Sequence, residues 1–322
     1  MKDFSGKIAV ITGGGTGMGR ELARQLIAEG CDVAICDVIV ENMEETKRLC
    51  EAEAAQGRVI STFRCDVSNE EQVLAWRDHV KEAHRTNHVN LLFNNAGIGG
   101  GGSFVNDTRE NWERTFNICW NGVYYCARAF LPLLIASDEG RMVNTSSVNG
   151  FWASLGPGTA HTAYSAAKFA VKGFTEALVS DFRLNAPHVK ASVVMPGHIG
   201  TDIGINSRTI MGGPSPEEMT EEQLEASRAF MVKRGFPVQD VSLDQIREFI
   251  AQQGVAFREN APTTAAQAAK VILDGVKADK WRILIGDDAH LLDEQVRGAP
   301  EHAYEPDFTE RWRDLVNTRK QS

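Results

Sequence analysis

Short, nearly uninterrupted apolar runs alternate along the chain with longer stretches in which apolar residues recur every three or four positions. The runs are Ile8–Thr12, Val33–Asp37, Val59–Cys65, Asn90–Phe93, Arg141–Thr145, Val189–Met195 and Arg282–Ile285. Continuous apolar strands of this length are expected where both faces of a sheet are covered. The amphipathic stretches predict helices over 17–30, 41–56, 69–86, 109–137, 163–185 and 264–278. Repeated strand–helix alternation requires right-handed crossovers and a parallel sheet between two helical layers. The expected fold is α/β: one doubly wound, seven-stranded parallel sheet, with residues 1–322 as a single domain.

The segment 203–262 breaks this rhythm. It contains Gly212-Gly213-Pro214-Ser215-Pro216 and two helical candidates. One is expected to start at Pro216, with Glu217, Glu218, Glu221 and Glu222 near its positive end. The other follows Ser242, with Gln245 three residues on as a capping box, a pattern that Thr264 and Gln267 repeat. The segment is therefore expected to be an ordered, enlarged helical lid rather than a linker, and 287–322 a polar C-terminal extension. A sheet domain of this kind needs roughly 250 residues, so the surplus length falls in these two places.

Composition narrows the partners. The chain is 43% hydrophobic and 24% charged, with a formal charge of −9. An acidic balance argues against nucleic acid or an anionic membrane surface as the main partner. The apolar runs stop well short of a membrane span, and the N-terminus shows no signal-peptide pattern. Six cysteines form no CxxC pair. These features predict a reduced, cytoplasmic protein. His84 and His88 are four apart but have no carboxylate partner pattern, so no metal is expected.

The first chemistry lies between the first strand and the first helix, in Thr12-Gly13-Gly14-Gly15-Thr16-Gly17-Met18-Gly19. Glycines there allow a tight turn and close backbone approach, and the helix N-terminus can receive a pyrophosphate. Asp37 ends the second strand, where a carboxylate accepts from both ribose hydroxyls and repels a 2′-phosphate. Neither Val38 nor the loop before Gly17 supplies a cation to hold that phosphate. NAD is therefore favoured over NADP.

With these residues in place, the chain resembles the short-chain dehydrogenase/reductase family of the standard, non-extended type, a Rossmann fold. The resemblance covers residues 5–200 and resumes over roughly 264–286. Its marks are TGGGTGMG at 12–19, Cys-Asp-Val at 65–67, Asn94-Asn95-Ala96-Gly97, Ser147, Tyr164-x-x-x-Lys168 and Pro196-Gly197. The resemblance implies a nucleotide site of Thr12, Gly13, Gly17, Met18, Gly19, Asp37 and Val38, with Asp66 and Val67 flanking the adenine. It further implies that Asn94, Ala96 and Gly97 shape the pocket, that Tyr164 and Lys168 reach the nicotinamide ribose, and that Pro196, Gly197, Ile199 and Thr201 seat the nicotinamide.

Tyr164 and Lys168, four residues apart, share one helical face. A lysine cation beside a phenol favours the phenolate and is expected to lower the tyrosine pKa from about 10. Tyr164 is then a general base for alcohol oxidation or acid for ketone reduction, and Ser147 a donor to the substrate oxygen. Ser146 is the alternative serine. Two departures from the family pattern stand out. Cys119 occupies the place of the family's fourth catalytic residue, an asparagine that acts largely through its main-chain carbonyl. The interval from Ser147 to Tyr164 is also longer than usual, which places extra residues in 152–162 at the substrate. Substrate contacts are expected from Asn149, Trp152, His161 and His198. Apolar residues of the insertion, including Ile203 and Ile210, suggest a bulky hydrophobic alcohol or ketone.

The leading reading is an NAD-dependent secondary alcohol dehydrogenase. The alternatives are an NADPH-dependent ketone reductase and a non-catalytic NAD(H)-binding redox sensor. The resemblance also implies a homotetramer or homodimer built on the helices over 109–137 and 163–185.

Overall fold

The computed structural model describes residues 1–55, 57–100, 102–155, 159–233, 236–312 and 314. Five parallel strands, β1 (Ile8–Thr12), β2 (Asp32–Asp37), β3 (Ile60–Arg64), β4 (Leu91–Asn94) and β5 (Gly140–Thr145), are followed by β6 (Val189–Pro196) and, after the insertion, β9 (Arg282–Ile285). They form one seven-stranded sheet in the order β3-β2-β1-β4-β5-β6-β9. Every neighbouring pair is parallel. The order reverses between β1 and β4, and such a switch point opens a crevice at the carboxyl ends of the strands.

Alternate residues of the strands feed two cores. Ile8 and Val10 join the layer of α3 (Glu70–Ala83), α5 (Gly122–Ile135) and α6 (Thr162–Asn185), where Trp76 meets Phe130 edge-on at 5.0 Å. Ala9 and Ile11 join the layer of α1 (Gly17–Ala28), α2 (Val40–Glu53) and α10 (Ala265–Lys277). The helix starts follow their caps: Asn69 and Thr108 each accept a backbone N–H, and the boxes at Ser242–Gln245 and Thr264–Gln267 both form.

Three expectations need correction. The stretch 109–137 is not one regular helix: α4 (Arg109–Phe116) and α5 are joined by a π-helical turn at Asn117–Asn121. This rod is long and apolar enough to cross a membrane by composition, but 56% of its apolar window is buried, as a core helix requires. Pro216 starts only a single 3-10 turn, Pro216–Glu218, which its own Ser215–Glu218 box closes; α8 begins afresh at Glu221 and runs to Lys233. The insertion also contains α7 (Ile203–Ile210), which the periodicity did not mark, before α8 and α9 (Leu243–Glu259).

The insertion leaves and rejoins the sheet through a small parallel clasp, β7 (Ile199–Gly200) on β8 (Thr263–Thr264). Beyond it α8 and α9 pack on each other around their own cluster of Leu224, Met231, Ile246 and Ile250. Helix α7 approaches α9 at Gly254, where a Cβ would fall 2.5 Å from Ile205. The extension folds too. Helix α11 (Asp287–Gly298) and the following chain bury Leu292, Ala303 and Phe308 against Trp152. Residues 156–158 and 315–322, parts of the expected substrate loop and tail, lie outside the described residues.

Candidate active site

Thr12, buried at the end of β1, ties together the two loops that edge the crevice. Its Oγ1 accepts the N–H groups of Asn95 and Ala96, each at 2.9 Å, and Asn95 Nδ2 donates back to the carbonyls of Thr12 (3.1 Å) and Gly13 (3.2 Å). Gly13 (φ +64°) and Gly17 (φ +55°) hold the left-handed backbone that the loop needs. A Cβ on Gly13 would lie 2.9 Å from Ala96 Cα, and one on Gly19 would collide with the Gly13 carbonyl. The glycines thus let the loop, α1 and the segment after β4 meet.

The loops enclose a cavity of about 420 Å³, lined by Gly13, Gly17, Met18, Asp37, Val38, Asp66, Val67, Ala96, Gly97 and Thr201 among the expected residues. No side chain caps α1, and its first turn holds no acidic residue, so its leading N–H groups remain available to an anion. Asp37 accepts from Gly15 N (3.0 Å), Val38 N (2.8 Å) and Ile39 N (3.2 Å). Burial nevertheless raises its carboxyl pKa, and those three N–H groups act against the rise. A glycine cradle, an open helix N-terminus and a carboxylate at the far end fit a dinucleotide.

Several expected residues lie elsewhere. Asn94 is buried and donates to Asn144 Oδ1 at 2.7 Å; its neighbour Asn95 lines the cavity. Thr12, Gly19, Pro196, Gly197 and Ile199 support the walls without lining them. Two contributions were missed in sequence. Arg64 pairs in register with Asp37 across β2 and β3, lines the cavity, and has no hydrogen bond or ion pair among the described residues. Helix α7 closes the open side: Asn206 Nδ2 donates to Thr16 Oγ1 (3.2 Å), Ser207 Oγ accepts from Gly99 N (2.7 Å), and Arg114 Nη2 donates to Ile210 O (2.9 Å). Strand register could have pointed to Arg64; nothing local marked Asn206.

Ser147, Tyr164 and Lys168 gather directly behind Gly97, where a Cβ would sit 3.5 Å from Lys168 Nζ and 3.8 Å from Cys119 Sγ. Lys168 Nζ is buried, donates to Thr145 O at 2.9 Å and lies 5.4 Å from the Tyr164 ring centre. The Ser147 hydroxyl lies near enough to the Tyr164 phenol to act on its ionisation. The alternative, Ser146, is buried, and its Oγ donates to Lys168 O at 2.7 Å, so it braces α6.

The expected depression of the tyrosine pKa is not what the surroundings produce. Burial pushes the Tyr164 phenol up, with the nearby Ser147 hydroxyl acting against the rise, and burial lowers Lys168. Desolvation disfavours both charged forms. Cys119 lies within the π-turn, fully buried, with Sγ 3.5 Å from Ile98 O. Asn117 and Asn121 bond to each other at 2.8 Å. Gly122 N bonds Asn117 O, a wider spacing than the α-helical one, and π-turns recur at functional sites because they perturb the carbonyl ladder.

Of the expected substrate contacts, His161 adjoins the cluster with its ring 4.6 Å from that of Tyr164, and Asn149 reaches it through its backbone N–H, which donates to Ser147 Oγ at 3.1 Å. Asn149 is buried and bonded to Trp152 O and Ser154 O. Trp152 is 4% exposed beneath the extension, which leaves it no face for a substrate. His198 is tied to the lid, its Nε2 2.8 Å from Phe257 O and its ring 4.2 Å from that of Phe257.

Residues 7–211 match the family described as short chain dehydrogenase. A Mycobacterium tuberculosis protein named as an oxidoreductase, SadH, is 39% identical over 293 residues, covering 91% of each chain. A short chain dehydrogenase/reductase from Burkholderia phymatum, solved in complex with NAD, superposes with a TM-score of 0.74 at 27% identity, covering 95% of this chain and 98% of that one. A metagenomic short-chain oxidoreductase solved with NADP gives a TM-score of 0.53 at 29% identity, covering 60% and 83%.

Proposed function

The chain belongs to the short-chain dehydrogenase family, and on that premise we propose that it is an NAD-dependent dehydrogenase acting reversibly on bulky apolar secondary alcohols and ketones. The observation that carries this reading is the Ser147–Tyr164–Lys168 cluster set behind Gly97, one residue from the nucleotide cavity. The glycine loop, Asp37 and Thr201 would hold the dinucleotide, and its nicotinamide, when bound, supplies the hydride acceptor or donor.

Ser147 Oγ hydrogen-bonds the substrate oxygen and Tyr164 Oη takes up the hydroxyl proton, or returns it to a ketone. Lys168 keeps two ammonium protons beyond its bond to Thr145 O, free for the ribose and for the phenolate. Ile98, Ile118, Ile203 and Ile210 on the cavity wall support an apolar substrate. The exposed Tyr124, Ile135 and Phe169 on α5 and α6 support a homotetramer or homodimer, and six buried, unpaired cysteines a cytoplasmic setting.

A panel of bulky secondary alcohols, followed by nicotinamide absorbance, tests the assignment. Tyr164→Phe is expected to lower turnover about 10²- to 10⁴-fold while retaining NADH binding; equal rates in the two proteins would refute it. Tight NADH binding with no turnover on any alcohol would favour the sensor. Because burial raises the Tyr164 pKa, the phenolate gains population only as pH rises. Alcohol oxidation therefore increases with pH and ketone reduction declines. The lowered Lys168 loses its charge earlier than a free lysine and withdraws its support at the alkaline end.

One observation favours a second cofactor reading. Arg64, with no hydrogen bond or ion pair among the described residues and in register with Asp37, would put a cation beside a bound 2′-phosphate. Side-by-side kcat/KM values decide between the two. Wild type is expected to prefer NAD, with Arg64→Ala losing about tenfold on NADP and changing little on NAD, the scale of one charge-assisted contact. A wild-type preference for NADP would overturn the NAD reading.

A further inference from the structure

The chemistry proposed above leaves the C-terminal extension without a part, yet its best-packed residues meet the loop that begins at Ser147. The Trp152 ring packs against Phe308 and Trp312, with centroids 5.4 and 6.3 Å away, and its Nε1–H donates to Ala303 O at 2.7 Å. The next N–H along, that of Ala153, donates to Tyr304 Oη at 2.9 Å. On the other side of the loop Asn149 Nδ2 donates to Trp152 O at 3.0 Å, and Asn149 N donates to Ser147 Oγ at 3.1 Å. Hydrogen bonds therefore run from the extension, through Trp152 and Asn149, to the Ser147 hydroxyl.

The extension is firmly placed at the same rim. Asp288 Oδ2 accepts from His198 N at 2.7 Å, and its carboxylate fills the space that side chains at Gly197 and Gly286 would occupy. Asp293, on the same helix, takes Arg282 of β9 and Arg297 together. A segment tied at several points to the sheet and to the serine loop transmits position, since packed contacts and satisfied hydrogen bonds leave few alternative geometries.

We propose that the C-terminal extension is an intramolecular buttress of the active site, with Trp152 the positioning residue that holds Ser147 Oγ in register with Tyr164. The proposal rests on the role of Ser147 given above. It makes catalysis depend on a segment that begins 140 positions beyond the serine in sequence and lies outside the residues matched by the family. Misplacing a catalytic group by about 1 Å can cost up to about 10²-fold in rate, so the chain of bonds has kinetic weight without touching substrate.

The test uses the full-length protein. Trp152→Phe keeps a ring between Phe308 and Trp312 but removes the donor to Ala303 O. It is expected to lower kcat about tenfold in the native background and less than twofold in Ser147→Ala, with NADH affinity unchanged. Tyr304→Phe, at a largely exposed position that leaves folding undisturbed, is expected to show a smaller loss with the same dependence on Ser147. Equal fold losses in both backgrounds, or an unchanged kcat in folded Trp152→Phe, would overturn the proposal. Hydrogen exchange reads the same claim without turnover. The amides of 148–154 are expected to exchange faster in Trp152→Phe while those of the central strands stay protected, and unchanged exchange there would overturn it. A wild type that oxidises no alcohol would instead refute the dehydrogenase reading, leaving the exchange result to decide the buttress.

Discussion

The nucleotide half and the substrate half of this molecule are built in different ways. The nucleotide half is a tight junction of backbone against backbone: Thr12, the glycine loop and Asn95–Gly97 meet at distances that only glycine permits, on strands buried at both faces. The substrate half is assembled from side chains of distant segments, namely the serine loop, α7 to α9 and the extension. It carries two small cores of its own, around Leu224 and around Trp152, apart from the two that sandwich the sheet. A junction made by backbone tolerates little change and binds a shared cofactor. A surface made by separately packed side chains can vary without disturbing the sheet.

The sharpest way to break this contrast is Leu224→Ala, which empties a fully buried position of the lid core. A loss of about 2–5 kcal/mol is expected, confined to the lid. Hydrogen exchange should accelerate over 221–259, KM for a bulky alcohol should rise, and NADH affinity should hold within about twofold. A matching loss of NADH affinity would show that the halves are not independent. Gly19→Ala probes the other half. Its methyl would meet the Gly13 carbonyl, and overpacking costs about 1–3 kcal/mol, so NADH affinity should fall roughly 5- to 150-fold with the lid amides unaffected. The smallest effect is expected where the halves touch. Asn206→Ala removes the bond from α7 to Thr16, worth about 0.5–1.5 kcal/mol, and should speed NADH release several-fold in stopped flow. An unchanged release rate would mean that α7 does not latch the cavity.

The two halves also differed in how much could be read before the structure was known. In the nucleotide half, Gly13, Gly17, Asp37, Asp66 and Gly97 lie where their order along strand and loop placed them, because each acts within a few residues of a strand end. The exceptions are instructive. Asn94 and Asn95 are adjacent, and only their placement at the end of β4 turns the second into the cavity and the first against Asn144. Arg64 became visible through its register with Asp37 across two strands. In the substrate half, Trp152 and His198 had the composition of a binding surface, but each is held by a segment far away, at Ala303 and at Phe257. Polar composition likewise concealed that the extension buries Leu292 and Phe308.

The sequence by itself determined the doubly wound sheet, the glycine loop, the carboxylate at the end of β2 and the spacing of Tyr164 and Lys168. These follow from periodicity, backbone freedom and helical geometry, all of which act over short stretches of chain. Only the tertiary structure decided that Ser146 braces α6, that a π-turn surrounds Cys119, and that burial acts on the Tyr164 phenol. It alone showed the extension lying beneath the serine loop. Each of these depends on which remote groups remove water and fill space around a residue, and chain order does not encode that directly.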